Sequence, residues 1–302
     1  MSDFFNRIEL FFKNKSILSN LIAINIIVFL LVRLFVIVVT LFKWDSNALF
    51  YFLRLPAGLD QVLGHPWTLI SYMFTHYGIW HILFNMLWLY WFGQIFLSFF
   101  NPRQLGGLYI LGGLAGALFF ILSYNFFPYF EDRAAVSYLI GASASVMAIV
   151  FGVAFYRKDY EIGLLFIGRI KIIYVAVFIL ILDLLSVAST NAGGHIAHVG
   201  GALFGICFAY CYAKGKDITA WLNTLIDKIF NLFKKKPAKR MKVKYRNAGT
   251  NSGYDKKSDY DYNARKNEEN AEIDKILEKI KKSGYNCLTE GEKKKLFDAS
   301  NK

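Results

Sequence analysis

Three separated stretches of an oily chain carry side chains that could do chemistry together. The first, FTHYGIWHILFNMLW, holds His76, His81 and Asn85. His81 and Asn85 are four residues apart, so on a helix they share one face and point to one place. The second, GASASVMAIV at 141–150, opens an apolar helix with Gly141, Ser143 and Ser145. The third, GGHIAHVGGALFGICFAY, holds His195 and His198, with Gly201 and Gly205 after them. A serine hydroxyl becomes a nucleophile when a neighbouring base takes its proton, and histidine commonly serves. Ser143 falls in the first turn of its helix, where backbone N–H groups lack intrahelical acceptors and the dipole favours negative charge. A tetrahedral oxyanion formed by attack from Ser143 finds donors there. Serines in membrane helices also bond back to a carbonyl one turn earlier and simply pack. Ser145, about 200° further around the helix, fits only that description. The G-x-S-x-G elbow is not met, because position 145 is serine.

His198 has glycines at i+3 and i+7, a bare stripe on its own face that lets another helix approach closely. Ala144 and Ala148 are the matching small residues on the serine helix. Their apposition would bring His198 within reach of Ser143. His195 is the competing base, without the glycine stripe placed just below it. His76 suits hydrogen-bonded packing as well as it suits a site. Asp183, the one acid inside the apolar spans, is expected to make a structural hydrogen bond or to pair with Arg33 rather than complete a triad.

These residues need a membrane scaffold to hold them. The 302-residue chain is 55% hydrophobic and 18% aromatic with only 19% charged residues, which excludes an ordinary soluble globule. The fold class expected is an all-α polytopic membrane protein with six spans, near 17–42, 69–93, 106–126, 139–156, 171–189 and 196–213. Basic residues (Arg7, Lys13, Lys15, Arg103, Arg157, Lys158, Arg169) collect in one set of loops, and the alternate loops are near neutral. The positive-inside rule then places both termini in the cytoplasm and the starts of spans 2, 4 and 6 outside. The N-terminal stretch lacks the order of a cleavable signal, so the first span is expected to persist. A bacterial inner membrane is the expected address. Three cysteines, two of them within a hydrophobic run, offer neither a disulfide framework nor metal-ligand spacing.

The three stretches, HYGIWHILFN, GAS and AHVGGALFG, resemble the rhomboid family of intramembrane serine proteases over about 1–213. The resemblance implies a six-helix bundle with a Ser-His dyad, Ser143 attacking and His198 as base, and no cofactor or metal. It implies that His81, Asn85 and the Ser143 amide form the oxyanion hole and that His76 lines the site. It further implies transmembrane-helix substrates, cut near the outer interface at unwinding-prone segments. Two departures stand out. Ala144 replaces the glycine that usually follows the serine, and Trp67 is followed by Thr68 where many relatives carry Trp-Arg.

The expected organisation is a rhomboid-like membrane domain at 1–216, a basic amphipathic segment at 217–246, a flexible linker at 247–268 and a helical hairpin at 269–302. Of the net charge of +13, ten units lie from Lys214 onward, and Lys228–Arg246 holds nine basic residues and no acids. Beneath a membrane this run suits anionic inner-leaflet lipid rather than nucleic acid. Thr289 and Glu292 form a capping box in the hairpin, whose expected partner is cytoplasmic. Two other readings compete with a protease: a catalytically weak relative that binds membrane clients, and a histidine-lined transporter or channel. Against the latter, the two halves of the chain do not repeat.

Overall fold

The structure is a computed structural model that describes residues 11–13, 16–45, 48–164, 168–233, 268, 271–281 and 287–300. It divides into two compact units, Met1–Lys235 and Lys236–Lys302.

In the first unit, α1 (Ile17–Leu41) starts where the Ser16 hydroxyl accepts from the Ser19 N–H. A segment of short elements follows: α2 (Ala48–Leu53), β1 (Leu55–Pro56), α3 (Leu59–Gly64), α4 (Thr68–Ser71) and a 3-10 turn (Tyr72–Phe74). Then come α5 (Ile79–Leu97), α6 (Pro102–Phe126), the short α7 (Pro128–Glu131), β2 (Tyr138–Leu139) and α8 (Ser143–Tyr156). A hairpin of β3 (Glu161–Leu164) and β4 (Gly168–Lys171) precedes α9 (Ile172–Leu185), α10 (Ala192–Ala213) and α11 (Ala220–Phe233). Among the described residues, α1, α6 and α10 are long and apolar enough to cross a membrane, while α8 and α9 are apolar but only 14 residues each. Exposed Ile27, Leu30, Leu31 and Leu34 on α1 give that helix an apolar outer face.

The core is built around α8, every residue of which from Ala144 to Ala154 is buried. Its small residues let its neighbours come close. A Cβ placed on Gly201 of α10 would stand 2.1 Å from the Ala144 carbonyl oxygen, and one on Gly205 would stand 2.3 Å from that of Ala148. On the other side, a Cβ on Gly112 of α6 would meet the Ala148 Cβ at 2.2 Å. Helices in lipid associate through such backbone proximity, because leucine–leucine contact gains little over leucine–lipid contact. α6 is fixed at its start by a reciprocal capping box between Asn101 and Gln104, with proline as its first residue.

The element boundaries differ from the sequence reading in places that matter. The stretch 69–93 is not one helix: α4 and the 3-10 turn stop at Phe74, and α5 begins only after Gly78, which caps it in extended geometry. His76 therefore lies in the connection rather than on the helix that carries His81 and Asn85. Leu139, expected to open a span, instead forms β2 with Tyr138, and this strand pairs antiparallel with β1, Leu55 opposite Leu139 and Pro56 opposite Tyr138. α10 begins at Ala192, four residues earlier than expected, and so includes His195.

The segment of short elements is tied down around Trp67 and Thr68. The Trp67 indole donates to the Phe52 carbonyl at 2.9 Å, the Ser71 hydroxyl donates to that of Leu53 at 2.8 Å, and the Asn125 amide donates to that of Ala57 at 2.8 Å. The Arg54 guanidinium lies over the rings of Tyr51 and Tyr138, 3.8 and 4.0 Å from their centroids. Buried Thr68 turns its hydroxyl to the His65 carbonyl.

α11 packs against the start of α6 and lies within the first unit. Arg103 pairs with Asp227 at 3.0 Å, and the Asn223 amide donates to the Arg103 carbonyl. Trp221, Leu225 and Ile229 are exposed. The basic run 234–246 and the expected linker, apart from residue 268, lie outside the described residues. In the second unit, helical residues 271–281 and α12 (Glu290–Ser300) are joined by Lys279–Glu292 and Lys295–Glu272 ion pairs, with Ile276 and Leu288 buried.

Candidate active site

Residues 140–143 turn from β2 into α8 and set up the site. Gly141 has φ of +114°, a conformation that a side chain disfavours. A Cβ there would also lie 2.6 Å from Nε2 of His81, so the bare backbone is what admits the imidazole. The Gly141 N–H donates to the Tyr72 carbonyl at 2.9 Å. The Ala142 N–H donates to Nε2 of buried His76 at 3.4 Å, and the His76 and His81 rings meet edge to face at 5.0 Å. His76 thus anchors the turn from behind. Ser143 follows as the first residue of α8, whose N-cap, Ala142, offers no side-chain acceptor. The N–H groups of Ser143, Ala144 and Ser145 precede the first helical bond, from Val146 to Ala142.

A cavity of about 480 Å³ opens over this turn, lined by Tyr77, His81, Asn85, Ser143, Asn191 and His198, with residues 138–140 also along it. A second cavity of about 490 Å³ lies between α5, α8 and α9, and Asn85, Ser143 and His198 line it as well. Ser143 and His198 therefore face the same two spaces, although no hydrogen bond joins them among the described contacts. The Asn85 amide donates one N–H to the His81 carbonyl at 2.9 Å, which leaves its second N–H for the cavity.

Asp183 does not pair with Arg33, whose guanidinium lies near the Phe29 and Tyr77 rings. Its Oδ1 accepts from Nδ1 of both His195 (2.7 Å) and His198 (2.9 Å). With Nδ1 of His198 carrying the proton, its Nε2 holds a lone pair, the form a general base requires. The turn at 186–191 brings the end of α9 back onto the start of α10, and the histidines i and i+3 share the face that meets it. The sequence signal for this contact was the isolation of Asp183 as the sole acid in the spans. Tyr77 and Asn191, in connections, carried no comparable signal.

Ser145 is buried on the opposite side of α8. A Cβ on Gly113 of α6 would lie 2.6 Å from its hydroxyl oxygen. The Ala144 methyl also points at α6: a Cβ on Gly116 would meet it at 2.5 Å. The extra methyl therefore stands away from the face shared by Ser143 and His198, and Gly116 makes room for it.

Residues 63–215 match the family model of the rhomboid domain. The chain belongs to the rhomboid family. It is 28% identical over 148 residues to RHOMBOID-like protein 12, mitochondrial, of Arabidopsis thaliana, covering 46% of this chain and 44% of that protein. It is 27% identical over 203 residues to Presenilin-associated rhomboid-like protein, mitochondrial, of Homo sapiens, covering 63% and 46%. A shorter match of 61 residues, 43% identical, covers 20% of this rhomboid and 19% of Rhomboid-like protein 16, chloroplastic, of Arabidopsis thaliana. The chain spans less than half the length of each of these relatives. Residues 256–302 match a second family model, described as a family of unknown function.

Proposed function

We propose that this rhomboid is an intramembrane serine endopeptidase. The observation that carries the reading is that Ser143, at a helix start with free N–H donors, and His198, on the helix that touches it through Gly201, line the same cavities. In the proposed reaction Ser143 Oγ attacks the scissile carbonyl while His198 Nε2 takes its proton. Asp183 holds the opposite ring nitrogen and stabilises the imidazolium that forms. The oxyanion is met by N–H groups at the start of α8, the spare Asn85 N–H and His81. His198 then passes its proton to the leaving amine, and water entering through the cavity hydrolyses the acyl-enzyme.

The proposed substrates are transmembrane helices with segments that unwind readily, so that an extended stretch reaches Ser143. The architecture proposed is a six-span bundle of α1, α5, α6, α8, α9 and α10 with both termini on the basic, cytoplasmic side. A bacterial inner membrane is our proposed location, although the named relatives belong to mitochondria and a chloroplast. The exposed apolar residues of α11 and the following basic run are proposed to rest on anionic lipid, and the second unit to hold a cytoplasmic partner.

A serine-directed fluorophosphonate provides the test. The wild type and Ser145→Ala should label and cleave a helical substrate, and Ser143→Ala should do neither. Labelling that persists in Ser143→Ala, or neither labelling nor cleavage by wild type, would exclude the mechanism.

A further inference from the structure

The proposed dyad uses one of two histidines that converge on Asp183. His195 has no part in the proposed reaction, yet its Nδ1 is held as closely as that of His198. Together the three residues present two imidazole nitrogens and a carboxylate oxygen within 4.8 Å of one another. The second carboxylate oxygen, Oδ2, is buried without a hydrogen-bond partner. Such an orphan costs free energy in a dry interior unless something can pair with it. The second cavity, of about 490 Å³, reaches all three residues and provides a way in.

We infer that Asp183, His195 and His198 form an inhibitory binding site for one Zn²⁺ ion. Two imidazoles and a carboxylate are a common zinc donor set, and the fourth position is left to water. Ligand atoms around a tetrahedral zinc lie roughly 3.3 Å apart, given bonds of about 2.0–2.1 Å. The present Nδ1–Oδ1 separations of 2.7 and 2.9 Å would open by about half an ångström, and the two imidazole nitrogens, now within 4.8 Å, would settle at the same spacing.

Occupancy has a defined consequence for the chemistry, and this part rests on the proposed dyad. Zinc takes the Nδ1 lone pair, so each bound neutral imidazole carries its proton on Nε2 instead. The tautomer changes without net proton release. His198 then presents an N–H to Ser143, where a base is required, and cannot accept the hydroxyl proton. The metal silences the enzyme without approaching the serine.

The test uses the full-length chain in detergent, without a histidine tag, stripped by chelator and titrated with Zn²⁺, and with Co²⁺ as a spectroscopic probe. Wild type and Ser143→Ala should each bind one zinc, and Co²⁺ should give the visible absorption of a four-coordinate site. Asp183→Asn and His195→Gln, checked for native elution and helicity, should weaken binding at least tenfold, whereas His65→Gln should not. Absence of binding, or equal binding by Asp183→Asn and His195→Gln, overturns the site. Zinc should also suppress fluorophosphonate labelling of wild type, chelator should restore it, and His195→Gln should need at least tenfold more zinc. Stoichiometric binding that leaves labelling unaffected overturns the inhibition. Because binding is read without activity, an inactive protein that still takes one zinc would refute the protease reading and leave the site standing.

Discussion

At the residue scale, the informative group is a carboxylate shared by two imidazoles. Asp183 fixes the His198 tautomer from behind, so Asp183→Asn should lower kcat for cleavage with little change in KM. The expected loss is at least tenfold, and the orienting aspartate of a soluble triad sets an upper scale of about 10⁴. Equal kcat in a correctly folded variant would remove Asp183 from the mechanism. A second titratable group belongs to the other unit. Glu292 sits in the cap of α12, receiving hydrogen bonds from the Thr289 N–H (2.7 Å) and hydroxyl (3.0 Å). The Lys279 ammonium, followed by these Thr289 donors, pulls its carboxyl from the ordinary 4.5 down to about 2. A depressed acid stabilises the folded form above its unfolded pKa, and that support is lost as pH falls through the folded one. Ellipticity of the second unit should accordingly hold at pH 6 and decline between about 4.5 and 2, and Glu292→Gln should remove much of that pH dependence.

At the element scale, backbone proximity governs. The Gly112 Cβ position collides with the Ala148 methyl and has no other neighbour closer than 3.7 Å. Gly112→Ala should therefore destabilise the bundle by about 1–3 kcal/mol. Adding Ala148→Gly, which moves the methyl from one helix to the other, should recover most of the loss. Gly201→Ala offers no such exchange, since its Cβ would strike the Ala144 backbone itself. It should reduce both melting temperature and cleavage. Much of this arrangement was legible in sequence, because i, i+3 and i+7 spacing is a property of one helix and survives any context. His198, Gly201 and Gly205 could be placed on one stripe for that reason, and Ser143 at a helix start. The connections were not legible. The β1–β2 pair is two residues long and joins segments more than eighty positions apart, so no alternating pattern announces it. His76 was placed on a helix because apolar residues flank Thr75–Gly78 closely on both sides, although these four residues are not helical. The partners of Asp183 depended on where the turn between α9 and α10 falls, which periodicity does not specify.

At the scale of the whole molecule, the chain divides after Lys235 into two compact units, and the first contains every residue of the proposed mechanism. A chain ending at Lys235 should insert, keep its melting temperature within a few degrees and retain fluorophosphonate labelling at Ser143. Loss of all three would tie the distal unit to the fold of the membrane unit. The brevity of α8 has a consequence of its own. Fourteen residues at 1.5 Å each rise about 21 Å, against roughly 30 Å of hydrocarbon. If its far end is held at the inner surface, Ser143, the proposed nucleophile, is left several ångströms beneath the outer one. Lipid thickness then acts as a ruler: bilayers of shorter acyl chains should bring bulk water and the ends of substrate helices to Ser143, while thicker ones should submerge it.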